Sequence, residues 1–281
     1  MNLPEFIYTV LLKPKPLRLM ANATLRWMTP ESLERHGARI FLNPRDPVVS
    51  GAMLLRVYER PETVFFLKHI APGMTFLDIG ANIGYYTGLA LSRIGSSGRV
   101  IAIEPDPEAY IYLKRTVAAN GTERTTIVHK ALADKPGSLR LYQNSDNRGD
   151  NRLYSNDLSD RSVEVEVVRG DDLLKQLGSS RIDFIKMDVQ GFEGRVLAGL
   201  EGVLRSSSGV VMLTEFWPWG LTEAGSDPLE ILARLQGWGF DLYELTADGS
   251  SVPLLDPADF ISRYPGRRYA NIVARQTSAN A

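Results

Sequence analysis

The sequence predicts an α/β fold in which helices flank a mostly parallel sheet. Short apolar runs that end in an acidic residue recur along the chain, and segments with helical spacing of apolar residues separate them. The clearest example, Thr75 to Gly84, passes from an apolar strand through a glycine-containing turn into a helix. Open α/β sheets bind ligands beyond the carboxyl ends of their strands, which is where such turns lie. The 281 residues suffice for one large domain, or for one domain with an appendage.

Composition and charge narrow the class of protein. Apolar residues make up 44% of the chain and charged residues 23%, which is ordinary for a globular protein. The net charge is −1, from 32 basic and 33 acidic residues, whereas nucleic-acid-binding proteins usually carry a basic excess. The chain has no cysteine, so disulfides, zinc–thiolate sites and cysteine nucleophiles are excluded. We therefore expect a cytoplasmic protein with no nucleic-acid partner.

Residues 1–71 are predicted to form an N-terminal helical cap segment. Residues 1–36 contain four prolines and an apolar patch, Phe6 to Leu12, which basic residues follow. The pattern fits a helix packed on the domain or on a second subunit, as in a homodimer, and it also fits contact with a membrane surface. The patch is too short to span a bilayer, and no signal-peptide pattern is evident. Within this segment, residues 39–42 are predicted to form a strand and residues 59–70 a helix.

The turn after the first core strand indicates which ligand it binds. Gly80 and Gly84 lack a Cβ atom, so the backbone can turn sharply and approach a ligand. A dinucleotide-binding turn would have glycine in place of Asn82, and a phosphate-binding loop would have lysine in place of Tyr85. Asp78 at the strand end favours a ligand with positive charge, and S-adenosylmethionine carries an ammonium and a sulfonium but no phosphate. A turn of this composition also occurs without a ligand.

The second and third strands add candidates for binding the nucleoside of this cofactor. The second strand ends at Glu104-Pro105, where a carboxylate can accept hydrogen bonds from both ribose hydroxyls; the alternative is a helix-capping acid. The third strand, residues 125–129, is followed by a loop that reaches Asp134. Asp134 suits either hydrogen bonding to the adenine amino group or turn formation.

The fourth and fifth strands end in the charged residues that are predicted to act on the substrate. Lys186 and Asp188 are two residues apart on a strand and therefore point to the same face. Glu193 begins the next helix, and Glu215 ends the fifth strand, where it should lie beside Asp188. A purely structural ion pair is the alternative, because buried charges must be paired.

The remaining segments complete the predicted sheet. Residues 138–142 and 162–168 alternate as strands, and the polar residues 143–160 between them form either a substrate loop or a solvated insert. Residues 239–245 and 270–274 are predicted to be the last two strands, and residues 277–281 a polar tail.

Three motifs together resemble those of the FkbM family of S-adenosylmethionine-dependent methyltransferases. They are DIGANIGYYT from Asp78, IEPDP from Ile103 and KMDVQGFE from Lys186, and the resemblance covers roughly residues 37 to 275. It implies a three-layer, Rossmann-like class I methyltransferase fold in residues 72–276. In this fold the mostly parallel sheet has seven strands and ends in an antiparallel hairpin.

The resemblance also implies a cofactor, a substrate class and further site residues. The cofactor is S-adenosylmethionine, and the usual reaction is O-methylation of a hydroxyl on a sugar, glycan or natural product. Asp46, Tyr58 and Glu59 correspond to the roof of the active site. The implied cofactor-binding residues are those of the motifs and the adenine loop: Asp78, Gly80, Asn82, Gly84, Tyr85, Glu104, Pro105, Asp134 and Asp188.

Methyl transfer to a hydroxyl benefits from a base that accepts the hydroxyl proton. Asp188 is the first candidate for this base and Glu215 the second. Lys186 would keep the carboxylate ionised or stabilise a developing alkoxide, and Glu193 would orient Lys186 or contact the substrate. No metal site is predicted, because no third acid follows at close spacing.

Two alternative functions stay open at this point. One is N- or carboxyl-methylation of a small molecule or protein, and the other is a noncatalytic S-adenosylmethionine-binding module. The complete set of charged residues at the strand ends argues against the second alternative. The sequence does not identify the acceptor.

Overall fold

The computed structural model describes residues 24, 26–144, 148–154, 161–179 and 181–276, and its core is an eight-stranded sheet. The apolar patch Phe6 to Leu12 and the tail 277–281 lie outside the described residues. The strands of the main sheet are β3 (Thr75–Ile79), β4 (Arg99–Ile103), β5 (Thr125–Val128), β9 (Phe184–Met187), β10 (Val211–Phe216), β11 (Phe240–Leu245), β12 (Ser251–Pro253) and β13 (Ala270–Gln276). The other strands are β1 (Ser32–Arg35), β2 (Ala38–Phe41), β6 (Ala131–Ala133), β7 (Gly137–Gln143) and β8 (Arg161–Arg169).

Helices cover both faces of the main sheet. They are α1 (Pro47–Leu54), α2 (Arg60–His69), α3 (Tyr85–Leu91), α4 (Pro107–Asn120), α5 (Gly170–Gln176), α6 (Glu193–Gly199), α7 (Glu201–Ser206), α8 (Pro218–Glu223), α9 (Pro228–Gly237) and α10 (Pro257–Ser262). Two of the longer helices, α4 and α9, begin at aspartates whose side chains accept hydrogen bonds from the first free backbone N–H groups.

The strand order of the main sheet is β12-β11-β13-β10-β9-β3-β4-β5. Strands β10, β9, β3, β4 and β5 are parallel, whereas β13 is antiparallel to both of its neighbours. This order confirms the class I methyltransferase fold and its antiparallel last pair of strands. The short strand β12 pairs with β11 at the sheet edge, so the sheet has eight strands where seven were predicted. A three-residue strand that contains a proline has too little pattern to be recognised in the sequence.

The central strands are buried on both sides because apolar residues of each strand face two separate clusters. Leu77 and Ile79 of β3 belong to one cluster, and Phe76 belongs to the other. On this second face Phe76 packs against Phe66 of α2 and Phe184 of β9, with ring centroids 5.1 and 6.0 Å apart. This burial explains why the strands appear as continuous apolar runs in the sequence.

The described part of the predicted cap segment contains the β1–β2 hairpin and helices α1 and α2. Ala38 and Ile40 of the hairpin and Phe65 of α2 belong to the same apolar cluster as Phe76. The cap is therefore packed onto the sheet and is not purely helical. The domain boundary at residue 71 remains a prediction.

Strands β6, β8 and β7 form a second, three-stranded sheet. It contains the strands predicted at residues 138–142 and 162–168, and the described residues 148–154 of the intervening polar segment pack against it. Tyr142 and Arg152 exchange backbone hydrogen bonds of 2.7 and 3.0 Å. Across the described ranges of the chain, no helix combines the length and apolar character that a membrane span needs.

The turn after β3 passes against the end of β9 at a distance that only glycine permits. Gly80 has φ +78°, and a Cβ atom there would lie 1.9 Å from the carbonyl oxygen of Asp188. We expect Gly80→Ala to lower the free energy of unfolding by about 2–5 kcal/mol, because overpacking adds to the cost of a left-handed backbone. Denaturant unfolding measures this change.

Gly239→Ala is the matched control for this substitution. Gly239 has φ +83°, but no atom lies within 4 Å of its added Cβ. The free energy of unfolding of Gly239→Ala should therefore fall by only about 1–2 kcal/mol, the cost of a left-handed backbone at a residue with a Cβ atom. Equal losses in the two variants would contradict a steric role for Gly80.

Candidate functional site

A cavity of about 350 Å³ opens at the carboxyl ends of β3, β4, β9 and β10. We call it the central cavity. Its volume lies in the range usual for sites that bind small ligands. Six of the predicted site residues line it: Gly80, Asn82, Glu104, Pro105, Asp188 and Glu215. The fold thus brings residues from four separate strand ends to one place.

The glycine turn forms one wall of the central cavity. Gly80 and Ala81 each donate a backbone hydrogen bond of 3.0 Å to Ile103 O, which ties the turn to β4. Asn82 has left-handed backbone with φ 49°, and its Oδ1 accepts a hydrogen bond from Ile83 N. Asparagine adopts this conformation more readily than most residues. Glycine at residue 80 lets the turn pack against Asp188 O, and the backbone of the turn lines the cavity.

Glu104 lies beside this turn with both carboxylate oxygens held in place. Oε1 accepts a hydrogen bond of 2.7 Å from Asp106 N, and Oε2 accepts one of 2.8 Å from Asn82 N. Burial, with the nearby Asp106 carboxylate as a second cause, raises the pKa of Glu104 to about 8. Each oxygen can accept a further hydrogen bond, so hydroxyl groups of a ligand can donate to it.

Three predicted cofactor-binding residues have structural roles elsewhere. Asp78 accepts a hydrogen bond of 2.6 Å from Thr87 Oγ1, and burial raises its pKa to about 6. Asp134 pairs with Arg195 at 2.7 Å and lines a different cavity. Gly84 is required for packing, because a Cβ there would lie 2.8 Å from a methyl group of Leu113.

Tyr85 and Asp46 also lie away from the central cavity. The Tyr85 hydroxyl hydrogen-bonds to Thr63 Oγ1 at 3.1 Å and faces a second cavity. Asp46 is buried and caps helix α1 by accepting a hydrogen bond of 3.1 Å from Val49 N. The Tyr85 side chain thus connects α3 to helix α2 of the cap, and the Asp46 side chain stabilises the start of α1.

Part of the segment predicted as the adenine loop lines the central cavity. Lys130, Ala131 and Leu132 line the central cavity, whereas Asp134 does not. Together with Ile103 they form a largely apolar wall opposite the glycine turn. Such a wall suits a flat heteroaromatic ring better than a carboxylate does.

Lys186 is the buried cation of the site, and its side chain is 3% exposed. Its Nζ lies 3.5 Å from Asp188 Oδ2, 3.8 Å from Glu59 Oε2 and 5.2 Å from the centre of the Tyr86 ring. Burial disfavours the ammonium form, but Glu59 and Asp188 outweigh that effect and raise the pKa of Lys186 above its usual value. The lysine is therefore a fixed positive charge.

Glu59 is the third member of this charged group and comes from the cap. It precedes helix α2 with φ 38°, a strained conformation for a residue with a side chain. Its Oε2 accepts a hydrogen bond of 2.7 Å from the Tyr86 hydroxyl. Tyr58 and Glu59 both line the central cavity, as their correspondence to the active-site roof predicts.

Gln190 connects the two candidate bases. Its Nε2 donates to Asp188 Oδ1 at 2.7 Å and approaches Glu215 Oε1 at 3.4 Å, so the carboxylates lie side by side. The backbone carbonyl oxygen of Gln190 accepts a hydrogen bond of 3.0 Å from the Tyr154 hydroxyl. Burial, followed by the charges of Asp188 and Glu193, raises the pKa of Glu215 well above its usual value. Glu215 therefore holds a proton tightly.

Glu193 stabilises the turn after β9 and does not contact Lys186. Its Oε1 accepts a hydrogen bond of 3.2 Å from Val189 N, and burial raises its pKa to about 7. It is buried and does not line the central cavity. In this structure its contact is with the turn after β9, and the roles suggested by the sequence stay predictions.

Sequence reasoning missed two residues that line the central cavity from distant segments. Tyr269 immediately precedes β13, lines the cavity and is 55% exposed. Asn151 donates a hydrogen bond of 2.6 Å to Asp106 Oδ2 and covers the cavity from the polar segment. Neither residue stands in a recognisable motif, so no signal in the sequence singled it out.

Comparison with known proteins identifies the family. The sequence model of the FkbM methyltransferase domain family matches residues 78–242, which is more than half of the chain. The chain is 27% identical over 196 residues to the methyltransferase sdnD of Sordaria araneosa, covering 59% of this chain and 73% of that protein. It is 29% identical over 143 residues to the 2-O-methyltransferase NoeI of Sinorhizobium fredii, covering 46% of this chain and 58% of that protein.

A crystal structure of methyltransferase FkbM from Methylobacillus flagellatus superimposes with a TM-score of 0.42 at 14% identity, covering 92% of this chain and 59% of that one. The family match includes the glycine turn, Glu104 and the segment from Lys186 to Glu193. The chain therefore belongs to the FkbM methyltransferase family, and its methyl donor is S-adenosylmethionine.

Proposed function

We propose that this methyltransferase transfers the methyl group to a hydroxyl oxygen of a sugar, glycan or other small molecule. The observation that carries the proposal is the pair Asp188 and Glu215 at the mouth of the central cavity, with the Lys186 ammonium beside Asp188. A hydroxyl acceptor needs a base at this point. The name of the relative NoeI, a 2-O-methyltransferase, agrees with transfer to oxygen.

The central cavity fits S-adenosylmethionine in size and chemistry. Gly80 lines the cavity without a side chain, and Glu104 offers acceptor positions for the ribose hydroxyls. Ala131 and Leu132 provide an apolar wall for the adenine. When bound, the cofactor supplies a methyl group on a sulfonium, whose positive charge suits a site rich in carboxylates.

Asp188 is the better of the two candidate bases. The Lys186 ammonium lies 3.5 Å from its Oδ2 and attracts the negative charge of a carboxylate there. Burial and the Asp188 charge keep the proton on Glu215. The pair thus presents an ionised base beside a group that can donate a hydrogen bond, which orients an acceptor hydroxyl at the base.

Glu59 completes the site by balancing charge. It gives Lys186 a second carboxylate partner at 3.8 Å, and Tyr86 fixes that carboxylate. With two partners the ammonium keeps its position when Asp188 accepts a proton. Lys186 can then stabilise negative charge that develops on the acceptor oxygen.

Substitution of Glu104 tests the cofactor site. We expect Glu104→Gln to weaken S-adenosylmethionine binding by about 1–3 kcal/mol, because the amide NH2 group cannot accept a hydrogen bond from a ribose hydroxyl and leaves that donor unsatisfied. Isothermal titration calorimetry measures the affinity. Asp134→Asn is the control and should bind normally, because Asp134 pairs with Arg195 in another cavity. Unchanged affinity in Glu104→Gln would remove Glu104 from the ribose site.

Substitution of Asp188 tests the base. Asp188→Asn should retain cofactor binding and lose about 10²–10⁴-fold in turnover, as expected when a general base is removed. Glu215→Gln should keep more activity than Asp188→Asn, since Glu215 already carries a proton. The reverse order of activities would assign the base to Glu215.

Buried acids make the stability of the cofactor-free protein depend on pH. Burial raises the pKa of Glu193 to about 7, so between its unfolded value of 4.5 and pH 7 the folded state retains a proton that the unfolded state releases. The free energy of unfolding must therefore fall as the pH rises through this window. From pH 5 to pH 8 the free energy of unfolding of Glu193→Gln should fall by up to about 3 kcal/mol less than that of the wild-type protein.

The readout is denaturant unfolding at each pH. Glu230→Gln changes an exposed acid in helix α9 and should leave the pH dependence as it is in the wild-type protein. A Glu193→Gln protein with the wild-type pH dependence would show that Glu193 is ionised when the protein folds.

A further inference from the structure

A second cavity of about 750 Å³ lies next to the central cavity. The β1–β2 hairpin, the end of α1, the turn before α2 and the first turns of α2 surround it. Tyr58 lines both cavities and packs edge-on against Tyr85, with ring centroids 5.2 Å apart. Aromatic side chains therefore separate the two spaces, and a molecule that passes Tyr58 can occupy both.

Basic side chains dominate the rim of the second cavity. Arg35, Arg56, Arg60 and His36 line it, against the one lining carboxylate, Glu34. This excess of positive charge stands out in a chain whose net charge is −1. It favours a ligand that carries negative charge.

Arg35 and Arg56 form the centre of this rim. Arg35 donates hydrogen bonds to Glu34 O at 3.0 Å and to Met53 O at 2.9 Å, which fixes its guanidinium. Burial, and then the charge of Arg56, lowers the pKa of Arg35. Among the described residues the Arg56 guanidinium has no hydrogen-bond or ion-pair partner. Two arginines that line one cavity, neither in an ion pair with a carboxylate of the described residues, favour an anion there.

The floor of the second cavity has the opposite character. Met53, Leu55, Val64 and Leu67 line it, and Val64 is 52% exposed to solvent. An apolar floor beneath a basic rim complements an amphiphile, a molecule with an apolar body and an anionic group. A small inorganic anion would leave the apolar floor in contact with water.

Backbone conformation links the two cavities. Five non-glycine residues of the described chain have φ between 38° and 60°. Glu59, Asn82 and Gln190 line the central cavity, and His36 and Arg56 line the second one. Such conformations cost free energy and persist where the surrounding structure enforces them, commonly at ligand sites. All five lie at one cavity or the other.

We propose that the second cavity binds an anionic group, a phosphate or carboxylate, that an apolar part of the methyl acceptor carries. The acceptor hydroxyl reaches Asp188 past Tyr58 while Arg35 and Arg56 hold the anion. This inference rests on the proposed function and adds to it the chemical class of acceptor. The positive charge then selects acceptors through a contact remote from the reacting oxygen.

Direct binding tests the site without any need for turnover. Calorimetry should detect octyl phosphate, used below its critical micelle concentration, and octanoate, which distinguishes carboxylate from phosphate recognition. Octyl glucoside has the same chain without the charge and should bind at least about tenfold more weakly, in line with the loss of a hydrogen bond to a charged group. Arg56→Glu should weaken octyl phosphate binding by a similar factor or more.

Arg140→Glu is the matched control, because Arg140 is an exposed arginine on β7 that lines neither cavity. It should bind octyl phosphate as the wild-type protein does. Arg56 is also exposed, so its substitution should leave the melting temperature unchanged. Absence of octyl phosphate binding, equal binding of octyl glucoside, or equal weakening by Arg140→Glu would each overturn the proposal.

A turnover measurement connects the second cavity to methyl transfer. Hydroxylated amphiphiles that differ by one phosphate, such as 8-hydroxyoctyl phosphate and 1,8-octanediol, can be offered with labelled S-adenosylmethionine. The preference for the phosphorylated member, measured as the ratio of the two kcat/KM values, should fall at least about tenfold in Arg56→Glu. An unchanged preference would overturn the link to the acceptor. An intact octyl phosphate site in an inactive protein would instead count against the proposed function.

Discussion

The burial of the Lys186 ammonium constrains the rest of the site. An unpaired charge at this depth would cost several kcal/mol, so the fold must bring carboxylates to it. Asp188 follows the same strand as Lys186. Glu59 comes from the cap and precedes Lys186 by 127 positions in the chain. The ion group therefore couples the cap to the sheet electrostatically. The contact with Lys186 also explains the strained backbone of Glu59. Helix α2 begins directly after Glu59, so this residue must both start the helix and place its carboxylate at the lysine.

The sheet register arranges polar and apolar residues in successive rows. Phe76 pairs laterally with Phe184 and forms an apolar row in the interior. Two positions further along, Asp78 pairs with Lys186, and Glu215 pairs with Asn271 at the outer end. Side chains two residues apart on a strand lie on the same face of the sheet. The charged pair Asp78 and Lys186 therefore lies next to the aromatic pair Phe76 and Phe184 on that face. Rigid packing beneath the site thus holds the charges at fixed distances.

The sequence predicted this architecture wherever a local pattern determines the structure. Apolar runs that end in acids indicated the parallel strands, and the adjacency of Asp188 and Glu215 followed from neighbouring strand ends. The sequence says less about residues whose contacts depend on distant partners. Gly84, Asp134 and Glu193 were chosen from local patterns near the site, yet Leu113, Arg195 and the turn after β9 are what they contact. The contact between Lys186 and Glu59 had no local signal, because it depends on how the cap packs.

The position of β13 has a consequence for the order in which the chain folds. This strand is the last of the main sheet in sequence, yet it lies between β10 and β11 in the interior of the sheet. Until it inserts, both neighbours expose unpaired edges, which are prone to association with other chains. Asn271 on the same strand also bonds the buried carboxylate of Glu62 in α2. The sheet can therefore close only after β13 has been synthesised, and methyl-transfer competence requires this strand.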